Sequence, residues 1–413
     1  MSKRSPSTPT LHRRRGHVGN LKSIDTDRRH LTGPFVTRTP LDSATPESND
    51  FPALSVNHQG NTFWSDLKSW RWVVNPVSSF KLLAISVILY LNWELVTPNI
   101  APGLPNPLRP LLFISYPVGS DTGEVQYAKG YLDLAFIAYY IVFFSFVRQI
   151  IIIHACQPIA RYFGVKRQAK LERFGEQGYA LVYFAIMGAW GYRIMKRLPT
   201  YWYRTEYFWI DYPHWEMKFE LKRYYLMHMA YWCQQLIVLL FGLEKPRKDY
   251  YELVAHHVVT LWLIGWSYLI NLTLIGNAIY MSMDIPDAFL AFSKLLNYMK
   301  MERAKFASFV VFIGFWTYFR HYLNIVILWS VWTEFDLIPE VSRVWAPSQG
   351  AWLVWWMKYQ IFAPLLFLQI LNLFWYYLIW RIAIRSVTSN LTDDRSDDED
   401  NDGDANDIDE KDE

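Results

Sequence analysis

Two adjacent histidines, His256 and His257, lie in Tyr251-Glu-Leu-Val-Ala-His-His-Val-Val-Thr260, and the next apolar segment carries Asp284 and Asp287. Ionisable side chains at membrane depth cost free energy that lipid cannot return, so they are kept where they act. An imidazole can take a proton near neutral pH or attack an activated carbonyl. A carboxylate facing it fixes its tautomer and stabilises the imidazolium. Two imidazoles and two carboxylates in apolar surroundings therefore point to proton transfer or acyl transfer inside a bilayer. The histidines are one helical step apart and diverge by about 100°. One is expected to face a cavity while the other fixes a neighbouring helix or positions reactants. Asp284 and Asp287 share one helical face with Asn277, Tyr280 and Lys294.

Two further polar faces accompany this set. Arg320, His321 and Asn324 follow Thr317 in one apolar segment, and His228, Tyr231 and Gln235 recur at similar spacing in another. Membrane bundles use such residues as interhelical hydrogen-bonding groups. If the segments converge, the same residues line one shared cavity, with Tyr231, Gln235, Asn277, Tyr280, Arg320, His321 and Asn324 as substrate contacts. A metal centre is not expected. Of 10 histidines, His12, His17, His30 and His58 fall in a polar arm. The remaining six are too scattered for a histidine-rich iron site.

Eight segments of roughly 20 apolar residues can position these groups. They lie near 78–96, 131–153, 176–197, 222–243, 251–270, 273–297, 304–332 and 354–383. The chain is 52% hydrophobic with 20 Trp and 27 Tyr, yet its mean hydropathy is only +0.02, because polar tails dilute an apolar middle. The tail from Asp393 holds 13 Asp/Glu against Arg395 and Lys411; its −11, set against a total of +3, leaves +14 on the rest. A basic body with an acidic tail suits a membrane protein with cytosolic edges. Basic connections alternate along the chain (Lys166, Arg167 and Lys170; Lys245, Arg247 and Lys248; Lys300 and Arg303), which places both termini in the cytosol. The expected organisation is a disordered basic arm (1–70), two helices with a luminal loop (71–160), a catalytic domain (161–385) and a disordered acidic tail (386–413). In that tail Ser396-Asp-Asp-Glu399 resembles an acidophilic kinase site. Cys156 and Cys233 both fall in apolar segments and imply no disulfide framework.

Arg247-Lys-Asp-Tyr-Tyr-Glu-Leu-Val-Ala-His-His-Val-Val-Thr260, Tyr280-Met-Ser-Met-Asp-Ile-Pro-Asp287 and Leu295-Leu-Asn-Tyr298 resemble the signature of ceramide synthases, the longevity-assurance enzymes of the TLC-domain superfamily. Tyr318-Phe-Arg-His-Tyr-Leu-Asn324 and Leu328-Trp-Ser-Val-Trp-Thr-Glu334 resemble the fungal branch. The resemblance covers about residues 70–385. It implies an all-α polytopic membrane protein of about eight transmembrane helices, six of them in a TLC-type barrel around a central tunnel. It further implies N-acylation of dihydrosphingosine or phytosphingosine by a very-long-chain acyl-CoA in the endoplasmic reticulum. The paired histidines of the family motif correspond to His256 and His257, and its acidic positions to Asp284 and Asp287.

On that reading acyl-CoA is a co-substrate and no cofactor is needed. Lys245, Arg247 and Lys248 would meet the phosphates of coenzyme A. Implied partners are membrane lipids, a small single-span accessory subunit, and a homodimer or a heterodimer with a paralogue; nucleic acid is not among them. His256 either forms an acyl-imidazole, oriented by Asp284, or serves as general base, while His257 and Asp287 position the amine and accept its proton. The luminal connection at 334–352 and the end of the seventh helix are expected to set chain length. The competing reading is a non-catalytic TLC-domain protein that binds lipid or associates with a translocon.

Overall fold

The computed structural model describes residue 68 and residues 70–119, 125–242 and 249–388. The amino-terminal arm, Lys245, Arg247, Lys248, and the acidic tail with Ser396 lie outside the described residues. Eight long helical segments occupy the described part, one at each place where the hydropathy predicts a span. They are α1 (Pro76–Ile100), α2 (Leu132–Tyr162), α3 (Gln168–Met195), α4 (Phe219–Leu240), α5 (Tyr250–Leu269), α6 (Thr273–Tyr298), α7 (Glu302–Thr333) and α8 (Met357–Thr388).

Among the described residues, α1, α2, α7 and α8 are long and apolar enough to cross a membrane by length and composition; the chain is a multi-pass membrane protein. The middle helices carry more polar side chains, and these point into the protein: Asn277 and Asp284 of α6 are buried, as are His256 and His257 of α5. Local chemistry sets several boundaries. The Asn75 side chain caps α1 by accepting from the Val77 and Ser78 amides (2.9 and 3.4 Å), and Pro76 takes the first helical position, where no amide hydrogen is needed. The predicted third span began near 176, but α3 starts at Gln168, because Lys170, Glu172 and Arg173 are helix formers that hydropathy does not count.

Two wide, π-helical turns interrupt the long helices, Ile152–Cys156 in α2 and Trp316–Leu323 in α7. The second carries Arg320 and His321 inward, an arrangement frequent at functional sites. Small residues let α3 approach α6 closely: a Cβ at Gly188 would lie 3.2 Å from Cγ1 of Ile285.

A polar knot ties the α1–α2 connection to the helices. Lys222 of α4, fully buried, donates to Asp133 (2.8 Å) and to the Ser115 and Ala128 carbonyls (2.8 and 2.6 Å). Asp133 also accepts from the Tyr268 hydroxyl (2.8 Å), and Lys129 donates to the Tyr268 and Leu269 carbonyls and the Asn271 side chain. Three two-residue strands, Pro117–Val118, Gln126–Tyr127 and Met217–Lys218, pair antiparallel in that order beside it. The α5–α6 turn is therefore pinned at the end where Asn271 lies.

Candidate functional site

An apolar cavity of about 780 Å³, its open mouth included, is walled by residues of α4 to α8. His256, Asp284, Asp287 and Arg320 reach its wall from α5, α6 and α7. Ile270 and Leu272, beside the α5–α6 turn, mark the other end. Along α5 the helical rise from His256 to Ile270 is ~21 Å. A long hydrocarbon can therefore lie along aliphatic walls with its activated end among ionisable groups.

The two histidines are held differently. Nε2 of His256 lies 3.5 Å from the Thr260 hydroxyl, whereas its buried Nδ1 has no hydrogen-bond partner among the described residues. Trp232 and Trp375 meet this ring edge-to-face at 5.5 and 5.3 Å. His257 has Nδ1 2.8 Å from the carbonyl of Leu253. It donates there, which places the ring proton on Nδ1 and the lone pair on Nε2. His256 lines the cavity; His257 sits behind it.

The aspartates share a face but not a partner. Asp287 pairs with Arg320 at 2.7 Å. That guanidinium also donates to Asn372 (3.0 Å) and the Met283 carbonyl (3.2 Å), and lies over the Trp316 ring at 4.2 Å. Asp284, almost fully buried, instead lies 3.3 Å from Nε2 of His228 on α4. Among the described residues, no hydrogen bond or ion pair joins His256 to either aspartate. The imidazole that spacing assigns to Asp284 is thus not the one the fold places beside it.

The structure brings Tyr280 and Arg320 to the cavity wall with the catalytic candidates. His321 and Asn324 stand behind Arg320 and share Gln369, which donates to Nδ1 of His321 (2.8 Å) and accepts from Asn324 (2.7 Å). Tyr231 stacks on Tyr183 with ring centroids 3.3 Å apart, Gln235 donates to Gln234, and Asn277 is fully buried; these three lie off the wall. The sequence left His228 as either an interhelical hydrogen-bonding group or part of a cavity-lining face, and it did not single out Gln369 and Asn372. Their signal was two amides three residues apart in an otherwise apolar helix. Among the described residues, no three His, Cys, Asp or Glu side chains are grouped to hold a metal ion.

Comparison with known proteins adds independent findings. The TLC domain family model matches residues 173–381. The chain is 39% identical over 356 residues to a sphingosine N-acyltransferase of Schizosaccharomyces pombe, covering 85% of this chain and 90% of that relative. It is 40% identical over 293 residues to a ceramide synthase of Saccharomyces cerevisiae, covering 71% of this chain and 70% of the relative. A sphingosine N-acyltransferase-like protein of Gibberella moniliformis is 39% identical over 293 residues, 69% of this chain and 75% of its own length.

Proposed function

Because the chain belongs to the TLC-domain family, and within it to the sphingosine N-acyltransferases or ceramide synthases, we propose that it transfers a fatty acyl group from acyl-CoA to the amine of a sphingoid base. The observation that carries this reading is the cavity itself: long apolar walls with His256, Asp284, Asp287 and Arg320 on them.

The reaction needs a fixed thioester and an amine relieved of its proton. The acyl chain lies along the walls with its carbonyl beside His256. An imidazole nitrogen of His256 attacks that carbonyl, the C–S bond breaks, and the thiolate of coenzyme A leaves with the proton the imidazole gives up. The ammonium of the sphingoid base is drawn to Asp287 and Asp284. Once a carboxylate has taken one proton, the nitrogen bonds to the acyl carbon, the bond to His256 breaks, and the ring leaves with the electron pair and takes the second proton from that nitrogen. His257, tied to the Leu253 carbonyl, packs against Trp232, which also packs against His256. It acts by fixing that wall.

Finer assignments belong to the same reading. The chain crosses the endoplasmic reticulum membrane eight times with both termini on its cytosolic side, and the TLC helices close as a barrel around the cavity. Lys245, Arg247 and Lys248, directly before α5, receive the phosphates of coenzyme A. Fatty acyl-CoA is then a co-substrate, and no cofactor or metal takes part. The connection between α7 and α8 sets acyl length, because the Gly350 carbonyl accepts from Asn271 (2.8 Å) at the α5–α6 turn, where the cavity ends. Exchanging 334–352 for the matching segment of a shorter-chain enzyme is expected to shorten the product; unchanged product length refutes that role.

The test of the function is intact-protein mass spectrometry after incubation with a very-long-chain acyl-CoA and no base. Wild type is expected to gain one acyl mass, His256→Ala none, and the adduct to discharge as ceramide when base is added. Ceramide without an adduct replaces the acyl-imidazole by direct attack with His256 as base. Neither adduct nor ceramide overturns the acyltransferase reading in favour of lipid binding.

A further inference from the structure

We propose that His228 is a positioning residue for the transfer step, acting through Asp284 and Tyr280 without touching substrate; this rests on the acyltransferase reading. His228 is fully buried on α4 and is not part of the cavity wall, whereas both residues it holds are. Its ring lies flat on Tyr280, with 4.1 Å between centroids and 5° between planes, and Tyr224 meets it edge-on at 4.4 Å. Nδ1 is 3.3 Å from the Tyr183 hydroxyl of α3, and Nε2 is 3.3 Å from Oδ2 of Asp284. Contacts from α3, α4 and α6 thus leave the imidazole one orientation. With the tyrosine hydroxyl donating to Nδ1, the ring proton sits on Nε2, the nitrogen 3.3 Å from the carboxylate.

The neighbouring carboxylate has a different partner, and that contrast assigns the roles. Asp287 faces Arg320, a permanent cation; Asp284 faces an imidazole, which is charged only when protonated. Two carboxylates in unlike environments take unlike parts in a reaction. Asp287 is the fixed anion that anchors the incoming ammonium. Asp284, with Nε2 of His228 3.3 Å from one oxygen, takes one proton from the ammonium, and the freed nitrogen bonds to the acyl carbon. A second proton passes from that nitrogen to the leaving imidazole of His256, which departs with its electron pair, so the three protons of the ammonium end one each on the amide, the ring and Asp284.

The experiment uses the full-length protein in detergent, a very-long-chain acyl-CoA and dihydrosphingosine, with His228→Ala, His228→Gln, Asp284→Asn and the His228→Ala/Asp284→Asn double variant. The Gln amide can reach the place of Nε2 and donate to Asp284. His228→Ala is expected to lower kcat about 10- to 100-fold, the scale of losing a close polar contact to a buried charge, with KM for acyl-CoA unchanged. His228→Gln should recover most of that loss, and the double variant should be no slower than Asp284→Asn alone. A residue that only supports packing would instead multiply its effect with that of Asp284→Asn. Losses that multiply, or His228→Ala within about twofold of wild type as for a surface change, overturn the proposal. So does His228→Gln as inactive as His228→Ala when both unfold at the wild-type temperature. Wild type that makes no ceramide counts against the acyltransferase reading itself, whereas ceramide from His228→Ala at the wild-type rate removes only the role of His228.

Discussion

Replacing Arg320 by methionine is predicted to destabilise the protein by about 3–5 kcal/mol, the usual cost of orphaning one partner of a buried ion pair. Arg320 and Asp287 meet at 2.7 Å with side chains only 3% and 19% exposed. At an effective dielectric near 20 the gross attraction at that distance is about 6 kcal/mol. Desolvating two ions costs several kcal/mol each, so the intact pair sits near balance. Without the guanidinium the carboxylate keeps its desolvation cost and loses the attraction. Asn372 and the Met283 carbonyl lose a donor as well, while the methionine fills comparable volume against Trp316. The companion variant Arg320→Met/Asp287→Asn removes both charges. It is predicted to recover most of the stability and little of the activity, because the anion proposed to anchor the substrate amine is gone. Unfolding in detergent reads the first quantity and ceramide formation the second. A single variant that costs under about 1 kcal/mol, as an exposed pair would, refutes the reasoning. A double variant as unstable as the single does so too.

Three further outcomes are expected. Gly276→Ala places a Cβ on the Tyr225 hydroxyl, which is bonded to Ser267, and should cost about 1–3 kcal/mol by overpacking; an unchanged unfolding midpoint contradicts that contact. Lys222→Met leaves Asp133 buried without its cation and should cost about 3–5 kcal/mol, with part regained in Lys222→Met/Asp133→Asn; equal midpoints for single and double variants contradict it. Burial pushes the His214 imidazole, in the α3–α4 connection, below its usual pKa, against smaller opposing effects of the Phe208 backbone and Asp211. The folded state then binds fewer protons than the unfolded chain below the ordinary value of 6.5, so stability is complete above that pH and is lost as pH falls beneath it. Midpoints recorded from pH 7.5 to 5 should fall less steeply in His214→Gln; parallel slopes contradict this.

The helices were legible because an apolar stretch near the length of a bilayer span is written directly in the chain. Even the short α5–α6 turn at Asn271 was readable, since two long apolar runs meet there with almost nothing between them. Of the residues that spacing grouped, the fold brings His256, Asp284, Asp287, Tyr280 and Arg320 to one wall and leaves Tyr231, Gln235, Asn277, His321 and Asn324 off it, and the pairings were not legible. Spacing tells which groups share a face of one helix; it says nothing of which face of another helix comes opposite. Asp284 therefore suggested His256, whereas the fold sets it against His228. Asn324, expected on the wall with Arg320 and found behind it, shows a second limit. The π-helical turn at Trp316–Leu323 changes the helical phase, so an α-helical wheel misplaces the groups that follow it.

The aliphatic walls of the cavity bear on fidelity. An acyl group activated on an imidazole is open to any nucleophile, and water is the commonest one. A chamber whose sides offer water few hydrogen-bonding partners keeps it scarce. Turnover then becomes a race between the arrival of an amine and a slow leak to free fatty acid. On the proposed acyl-imidazole route, how well the apolar walls keep water from the reacting end decides how long the enzyme can wait, charged, for a scarce sphingoid base.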